Sequence, residues 1–464
     1  MKSWRDSLPT LQANTSGRTF SAETPGYDDA LAVFNTCVRH RPAVVVTAAG
    51  PDDVREAVTF ASRHGLRVAV LHTGHGPTVA AGDDTLMIST RNMVGVEIDA
   101  MRRVARVQAG LRFGQLVDVA AAFGLAPLAG SAPSVGVVGY TLAGGASPTL
   151  GRKFGWASDH VSAIDVVTSD GRLRRATARA DADLFGALLG GKSNFGVVTA
   201  MEFALFPVEQ IYAGSLFYAG EHTRSVLEAY RQFTVSAPDD ISTAATILNF
   251  PPLPDLPPFM QGKKVVALRI SFSGDPRTGR RLIDPLRRAA PRLLDTVAEI
   301  PYSAFATITQ DPTEPAAAVE HFGLLRELTD GTVEAIAGLV ESEAGSQMNI
   351  IDFRHLQGAF SRPSPVTNAV GGRDAAFAFF GLTVVPPDAD VRDYQSCGSE
   401  LVAALAPWLH PQAHPSFLGP ADATERGTRR AYDAGVYAHL REVKAKYDPH
   451  NIFRVNHNVP PAVA

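Results

Sequence analysis

Two glycine-rich segments hold the residues of this chain whose types and spacing best suit chemistry. The first, His72-Thr73-Gly74-His75-Gly76-Pro77, follows a strand-like run from Arg67 to Leu71, and the second, GSAPSVGVVGYTLAGG, spans Gly130 to Gly145. Glycine lets a backbone approach a bulky ligand and adopt φ > 0, and successive N–H groups in such turns form anion-binding concavities. Two such turns could hold the phosphates and the flat ring of a dinucleotide. The blander reading is loop chemistry joining strands; the length of both turns and the histidine inside the first favour the ligand. A third glycine-rich stretch, Gly186 to Ser193, satisfies G-x-x-x-x-G-K-S. A phosphate-binding loop needs a strand entering and a helix leaving, so that the helix N-terminus faces the phosphate. Here a helix-like stretch, Asp183 to Leu189, precedes the loop and a strand-like one, Phe195 to Thr199, follows, so a P-loop is rejected.

The elements that must position these turns are legible in the apolar spacing. Ala43 to Thr47 reads as a buried strand. Gly50, Pro51 and Asp52 open a helix with Val54, Ala57, Val58 and Ala61 on one face, and Gly65 stands at its C-cap. Together with Arg67–Leu71 this is a β–α–β unit, which predicts a parallel pair. Strands follow at Leu86 to Thr90 and Val104 to Gln108, with a helix from Phe113 to Phe123 that ends at Gly124. A hairpin is expected from Val161 to Thr168 and Arg172 to Thr177 around Ser169-Asp170-Gly171. A helix, Asp181 to Leu189, and a strand, Phe195 to Phe203, close this half.

From about Val208 the texture changes. Strand-like runs at Ala213–Tyr218, Lys264–Phe272, Met348–His355 and Ala375–Val385 alternate with helical stretches and proline-rich loops, notably Pro251 to Phe259. This predicts a second, mixed domain on an antiparallel sheet. A helix from Arg429 to Lys446 and the tail YDPHNIFRVNHNV end the chain.

Composition bounds the answer. The chain has 464 residues, with 43 basic and 47 acidic side chains and a net charge of −4, so no basic excess exists to neutralise a nucleic acid. Two cysteines, Cys37 and Cys397, rule out a disulfide framework and a multi-cysteine zinc site. No apolar run is long enough to span a bilayer. The first twenty residues hold no apolar h-region of the kind a Sec signal requires, which makes the cytoplasm the expected compartment.

Four segments, VAVLHTGHGP (Val68 to Pro77), GSAPSVGVVGYTLAGG, DLFGALLGGKSNFGVVT (Asp183 to Thr199) and KAKYDPHNIFRVNHNV (Lys444 to Val459), occur in an order that resembles the berberine bridge enzyme-like flavoproteins of the vanillyl-alcohol oxidase and p-cresol methylhydroxylase superfamily. The resemblance covers almost the whole chain and is strongest to actinobacterial tailoring oxidases of natural products. It implies an α+β fold: a two-lobed FAD-binding domain of the PCMH type with an inserted substrate domain, built on an antiparallel sheet covered by helices. The implied boundaries are 1–207, 208–420 and 421–464, the last segment completing the FAD domain. FAD would contact Leu71, His72, Thr73, Gly74, His75 and Gly76, the turn giving its N–H groups to the pyrophosphate. Further contacts are implied at Ser134, Val135, Gly136, Gly139 and Tyr140, at Gly144 and Gly145, at Asp159, Gly196 and Val198, and in the tail at Asn456 and Asn458. His75 falls on the position of an 8α-histidyl link to the flavin.

The chain also departs from the family pattern. Leu71-His72-Thr73 stands where relatives have Arg followed by two small residues, which makes His72 a rival for attachment. Ala132 stands where doubly linked members have cysteine, so a single link is expected. Val135 is similar to the small residue of members that react with O2, giving hydrogen peroxide. Metal is not implied. Relatives present an acidic base on a substrate-domain strand, a position held here by Asp352; period-2 alternation puts Ile350, Asp352 and Arg354 on one face. Relatives with a tyrosine base have it where this chain has His414, and histidine can serve near neutral pH.

The expected reaction is hydride transfer from a small molecule, most simply a secondary metabolite, to flavin N5, with O2 as acceptor. A sugar or oligosaccharide oxidase is the alternative within the fold, and a flavin-holding protein that steers a cyclisation without net oxidation is the alternative outside oxidase chemistry. The apolar loop at Pro251 to Phe259 leans toward a bulky apolar substrate.

Overall fold

The computed structural model describes residues 4–76 and 78–463. Pro77, the last residue of the first turn, lies outside the described residues. Three sheets carry the fold. The first contains β1 (Arg18–Phe20), β2 (Val44–Thr47), β3 (Arg67–Leu71) and β4 (Thr85–Ser89) in the order β1-β2-β4-β3. Strands β2 and β3 are parallel members of one sheet, as the β–α–β reading requires, but they are not neighbours: β4 lies between them, parallel to both. The helix Pro51–His64 crosses over with Val54, Ala57, Val58 and Ala61 fully buried against this sheet, and Gly65 caps it at φ 69°.

The second sheet contains β5 (Val96–Asp99), β6 (Val104–Gln108), β7 (Val161–Val167), β8 (Leu173–Ala176) and β9 (Val197–Ala204), ordered β5-β6-β9-β7-β8 and antiparallel throughout. Strands β7 and β8 form the expected hairpin, with Gly171 at φ 74° in the turn. The third sheet has eight antiparallel strands: β10 (Gln210–Ala219), β11 (Ile241–Asn249), β12 (Lys264–Phe272), β13 (Arg292–Asp295), β14 (Ala298–Pro301), β15 (Ala318–Leu325), β16 (Ile350–His355) and β17 (Phe377–Val384). Helices Thr223–Thr234, Asp330–Glu341 and Gln395–Ala404 bury their apolar sides, through Leu227, Ile336 and Leu401, in the core on one face of this sheet.

Two expectations change. The helix read as Arg429 to Lys446 is broken: a short turn of helix, Glu425–Arg429, precedes Ala434–Tyr447, because residues 430–433 fold back to bond Ala413 and Gln412. The proline-rich loop is the exposed connection between β11 and β12, and it lines neither cavity described below, so it says nothing about the substrate. Among the described residues no helix is long and apolar enough to cross a membrane.

Candidate functional site

A cavity of about 440 Å³ opens where the first two sheets, the C-terminal tail and the edge strand β15 meet. That is within the range of sites that enclose a large ligand. Its wall contains Leu71, His72, Thr73, Gly74, His75 and Gly76 from the turn after β3. Val135, Gly136, Gly139 and Tyr140 come from the second glycine-rich segment, Gly196 and Val198 from the start of β9, and Asn456 from the tail. Ser134 reaches it through His75. The other proposed contacts lie elsewhere. Gly144 and Gly145 pack against His414, Ala157 and Tyr140. The Asp159 carboxylate is engaged by Arg373 at 2.6 and 2.9 Å and by Asn368 at 2.9 Å, which ties the segment before β7 to the loop before β17. Asn458 is absent from the wall, with its Oδ1 buried and unpartnered.

The turn is shaped by sterics. Gly74 sits at φ 69°, and a Cβ there would lie 2.5 Å from Val33 Cβ. On Gly136 a Cβ would run into the His72 imidazole. His75 is held on two sides: its ring stacks on Phe34 at 3.9 Å, and Nε2 bonds Ser134 Oγ at 3.0 Å. No partner engages Nδ1 among the described residues. Burial, reinforced by Arg112, pushes the His75 pKa down to about 4, so the imidazole is neutral at pH 7. His72 is also pushed down to about 4, by burial and then Arg112.

The cavity has the marks of a site made for a group outside the polypeptide. Gly76 and Gly139 line it with open space where a Cβ would stand. Tyr140 Oη, Asn456 Oδ1 and His457 Nδ1 are buried in its wall without a hydrogen-bond partner, in a class of atoms that folded proteins nearly always satisfy. A flat, polar-edged ligand with phosphates fits these donors, acceptors and gaps.

Sequence reasoning missed two charged members of this wall, Lys192 and Glu320. Lys192 belongs to the rejected P-loop pattern; burial pushes its ammonium down to about 8. Glu320 is the one acidic side chain in the wall among the described residues, and burial pushes its carboxyl up to about 7, eased by Asn35. Neither carries a local signal, because a charge on a loop or strand reads as solvated until a cavity is known to close over it.

The two proposed catalytic residues stand apart from this wall. Asp352 is fully buried on β16 and shares a face with Arg354, as alternation requires. Its oxygens accept from Thr246 Oγ1 at 2.5 Å and Arg354 Nε at 2.8 Å, with Arg269 at 3.6 Å. Arg269 and Arg354 line a second cavity of about 30 Å³, room for a water or two. His414 is also fully buried, stacked on Trp156 at 4.1 Å, with the backbone of Gly144 against its edge. Its Nδ1 accepts the Ser416 N–H at 3.1 Å, which leaves the proton on Nε2, an atom without a partner. Burial, with Arg373 and Lys192, lowers its pKa well below 6.5. His414 is therefore a neutral imidazole that presents a donor.

Two family models match parts of the chain. Residues 42–177 match the FAD binding domain model, and residues 417–460 match the model described as berberine and berberine like. The chain thus carries an FAD-binding domain and a berberine-like segment, and its relatives include FAD-linked oxidoreductases. Among relatives of this FAD-linked family, (R)-6-hydroxynicotine oxidase of Paenarthrobacter nicotinovorans is 25% identical over 96% of this chain and 97% of its own. An FAD-linked oxidoreductase of Dictyostelium discoideum is 23% identical over 92% and 91%. The fold is shared with the crystal structure of 6-hydroxy-D-nicotine oxidase from Arthrobacter nicotinovorans (TM-score 0.83, 24% identity, 97% of this chain and 98% of that one). It is shared equally with a chitooligosaccharide oxidase (TM-score 0.84, 21% identity, full coverage of both chains). FAD is the cofactor of this oxidoreductase family.

Proposed function

We propose that this flavoprotein oxidises an aromatic, largely apolar small molecule, a secondary metabolite or a compound of similar chemistry, with FAD tethered through His75 and O2 as electron acceptor. The observation that carries the reading is the state of His75. Its Nε2 hydrogen-bonds Ser134 Oγ, its ring stacks on Phe34 and the imidazole is neutral; in the tautomer that donates from Nε2, Nδ1 keeps a lone pair. Forming a bond to carbon requires such a lone pair, and protonation would remove it. Asn456, His457 and Tyr140 would supply polar contacts, and the backbone of the Leu71–Gly76 turn would meet the phosphates. We likewise propose the chain divisions 1–207, 208–420 and 421–464, with the insert carrying the third sheet.

Bound FAD supplies the two-electron acceptor for a substrate hydride and the donor to O2. The protein must take the proton that leaves the substrate's hydroxyl or amine. The lone pairs of Asp352 are committed to Thr246, Arg354 and Arg269, and that of His414 to Ser416, so neither is placed as the base. Glu320 suits the role of base, being a carboxyl in the cavity wall whose burial poises it near neutral pH. His414 would donate through Nε2 to a substrate oxygen or nitrogen, and Asp352 would orient Arg354. Val135, small and in the wall, would leave O2 a path.

The aromatic preference rests on Phe322, which lines the cavity on β15, and on the rings packed behind it. Phe322 lies 5.8 Å from Phe417 and 5.9 Å from Phe380, Phe417 lies 5.4 Å from His414, and the Arg354 guanidinium covers Phe380. Flat apolar rings stack on such a surface. The relative named for oxidising 6-hydroxynicotine agrees with this preference, while the chitooligosaccharide oxidase keeps the sugar reading as the competitor.

The test is acid precipitation and intact mass. The wild-type pellet should stay yellow and the chain should carry the mass of one FAD; His75→Ala should lose both. Flavin entirely in the supernatant of the wild type would remove the tether. Reoxidation of the reduced protein in air, if much slower than turnover with an artificial acceptor, would remove O2 as the acceptor.

A further inference from the structure

The face of the third sheet opposite its helices carries two guanidinium groups abreast. Strands β12, β11 and β16 are neighbours, and their register sets Arg269 opposite Ala244 and Ala244 opposite Arg354. Residues paired across strands share a face, so the two arginines flank one alanine. The Ala244 methyl is too short to fill the space between them, and the second cavity opens there, with Arg269, Ala244 and Arg354 in its wall. The face toward the helices is apolar by contrast, with Ala245, Leu268 and Phe353 in its core.

Like charges on one buried face repel, and a single carboxylate answers both of these. Asp352 accepts from Arg354 Nε at 2.8 Å and stands 3.6 Å from Arg269, which leaves one positive charge in excess. Asp311 also acts on Arg354, but from outside the wall, and no acidic side chain lines this cavity among the described residues. Arg269 is nine-tenths buried, and beyond Asp352 its guanidinium has no partner among the described residues; the terminal nitrogens of Arg354 have none either. Thr309 Oγ1, buried and unpartnered, belongs to the same wall. A guanidinium offers donors only, and burying them without acceptors is costly. The gap of about 30 Å³ has the room of a water or two, which is also the room of a carboxylate's two oxygens. Water satisfies the donors but not the excess charge; an anion satisfies both.

The same face continues to the larger cavity. Thr246, Asp352, Phe380 and Phe322 are paired in that order across β11, β16, β17 and β15, one rung along from the arginines, and Phe322 lines the larger cavity. The Arg354 guanidinium lies 5.1 Å over the Phe380 ring, and it acts on Tyr140, whose unpartnered hydroxyl is in the larger cavity's wall. We infer that the cleft between Arg269 and Arg354 is a carboxylate subsite and that the substrate is an aromatic acid, its ring over Phe322 and Phe380 and its carboxylate on the two guanidiniums. The inference rests on the aromatic-substrate reading for the ring and adds the polar group that such a substrate carries. Arg269 is the specificity-determining member, because Arg354 is already engaged through Nε by Asp352. Guanidinium–carboxylate contacts are both strong and selective for geometry.

The experiment titrates benzoate, phenylacetate and phenylpropionate, each beside its neutral amide, into holoprotein, and reads the visible flavin spectrum and the thermal midpoint. At least one acid should bind roughly tenfold more tightly than its amide, the least expected of a charge-assisted pair in a shielded site. Arg269→Gln should remove that preference, Arg269→Lys should keep part of it, and Asp352→Asn, which raises the excess charge, should enlarge it; misfolding does not give opposite signs at neighbouring positions. Equal affinity for acid and amide, or no binding, throughout the series would overturn the inference, and so would a preference that survives Arg269→Gln. Acetate and chloride separate the two sources of an anion. If they bind as tightly as the best aromatic acid, or if that acid leaves the flavin spectrum unmoved, the cleft is a site for a free ion and the substrate assignment falls. Phenylacetamide against acetamide scores the ring preference by itself, and yellow pellets on acid precipitation score the tether, so failure of either is told apart from failure of the subsite.

Discussion

Replacing Lys444 by methionine tests how the tail is fastened to the cavity. Lys444 and Asp448 form an ion pair at 2.8 Å with both side chains fully buried. The ammonium also donates to Asn194 O at 2.6 Å and to Phe453 O at 2.9 Å, and the carboxylate accepts the N–H groups of Ile452 and Phe453 at 2.9 and 3.0 Å. Asn194 in turn donates to Gly191 O and His457 O and accepts the Val459 N–H. One lysine thus joins the loop that carries Lys192 to the tail that carries Asn456 and His457. Methionine preserves most of the stem's volume, so the cavity contribution is small and the loss is electrostatic. Asp448 keeps its two N–H donors but is left as a buried charge without a counter-ion, a change that costs about 3–5 kcal/mol. Lys444→Met should lower the guanidinium midpoint by that free energy divided by the slope, with little change in the slope itself. Adding Asp448→Asn should cost less than the two single losses together, because no lone charge then remains buried. A Lys444→Met loss under about 1 kcal/mol, the scale of solvated pairs, would refute the buried network.

Two further outcomes follow from the cavity wall. Gly74→Ala places a Cβ against Val33 at a positive φ, so the turn must shift; the flavin-to-protein absorbance ratio of the purified variant should fall while stability drops by only about 1–3 kcal/mol, and a fully loaded variant would contradict the cradle. The folded-state pKa of Glu320 is raised from 4.5 to about 7, so the native protein binds the proton more tightly than the unfolded chain and stability declines as pH rises from about 4.5 to 7. Glu320→Gln should abolish that share of the decline, at most about 3 kcal/mol across the window, and flatten the acidic limb of the rate profile; identical pH–stability curves for variant and wild type would contradict the buried carboxyl.

The order and type of the N-terminal elements were legible because their signals are local. Valines 44–46, the i, i+3, i+4, i+7 face from Val54 to Ala61 and the αL glycine at 65 each depend on near neighbours alone. The glycine turns likewise announced a close approach of backbone to something, and Gly74 and Gly136 meet Val33 and His72 there. The insertion of β4 between β2 and β3 was not local, since pairing partners are chosen by burial across the sheet. Nor was the interrupted C-terminal helix, which breaks where residues 430–433 bond a distant loop.

Chemistry divided along the same line. Sequence determined which side chains were available: the imidazoles at 72, 75 and 414, the carboxylate at 352, and no cysteine at Ala132. Tertiary structure alone decided their state. It committed the lone pairs of Asp352 to two arginines and a threonine, turned His414 into a donor through one backbone N–H, and closed a cavity over Glu320 and Lys192. Proton affinity and hydrogen-bond capacity are set by burial and by partners far apart in the chain, and no run of neighbouring residues encodes either.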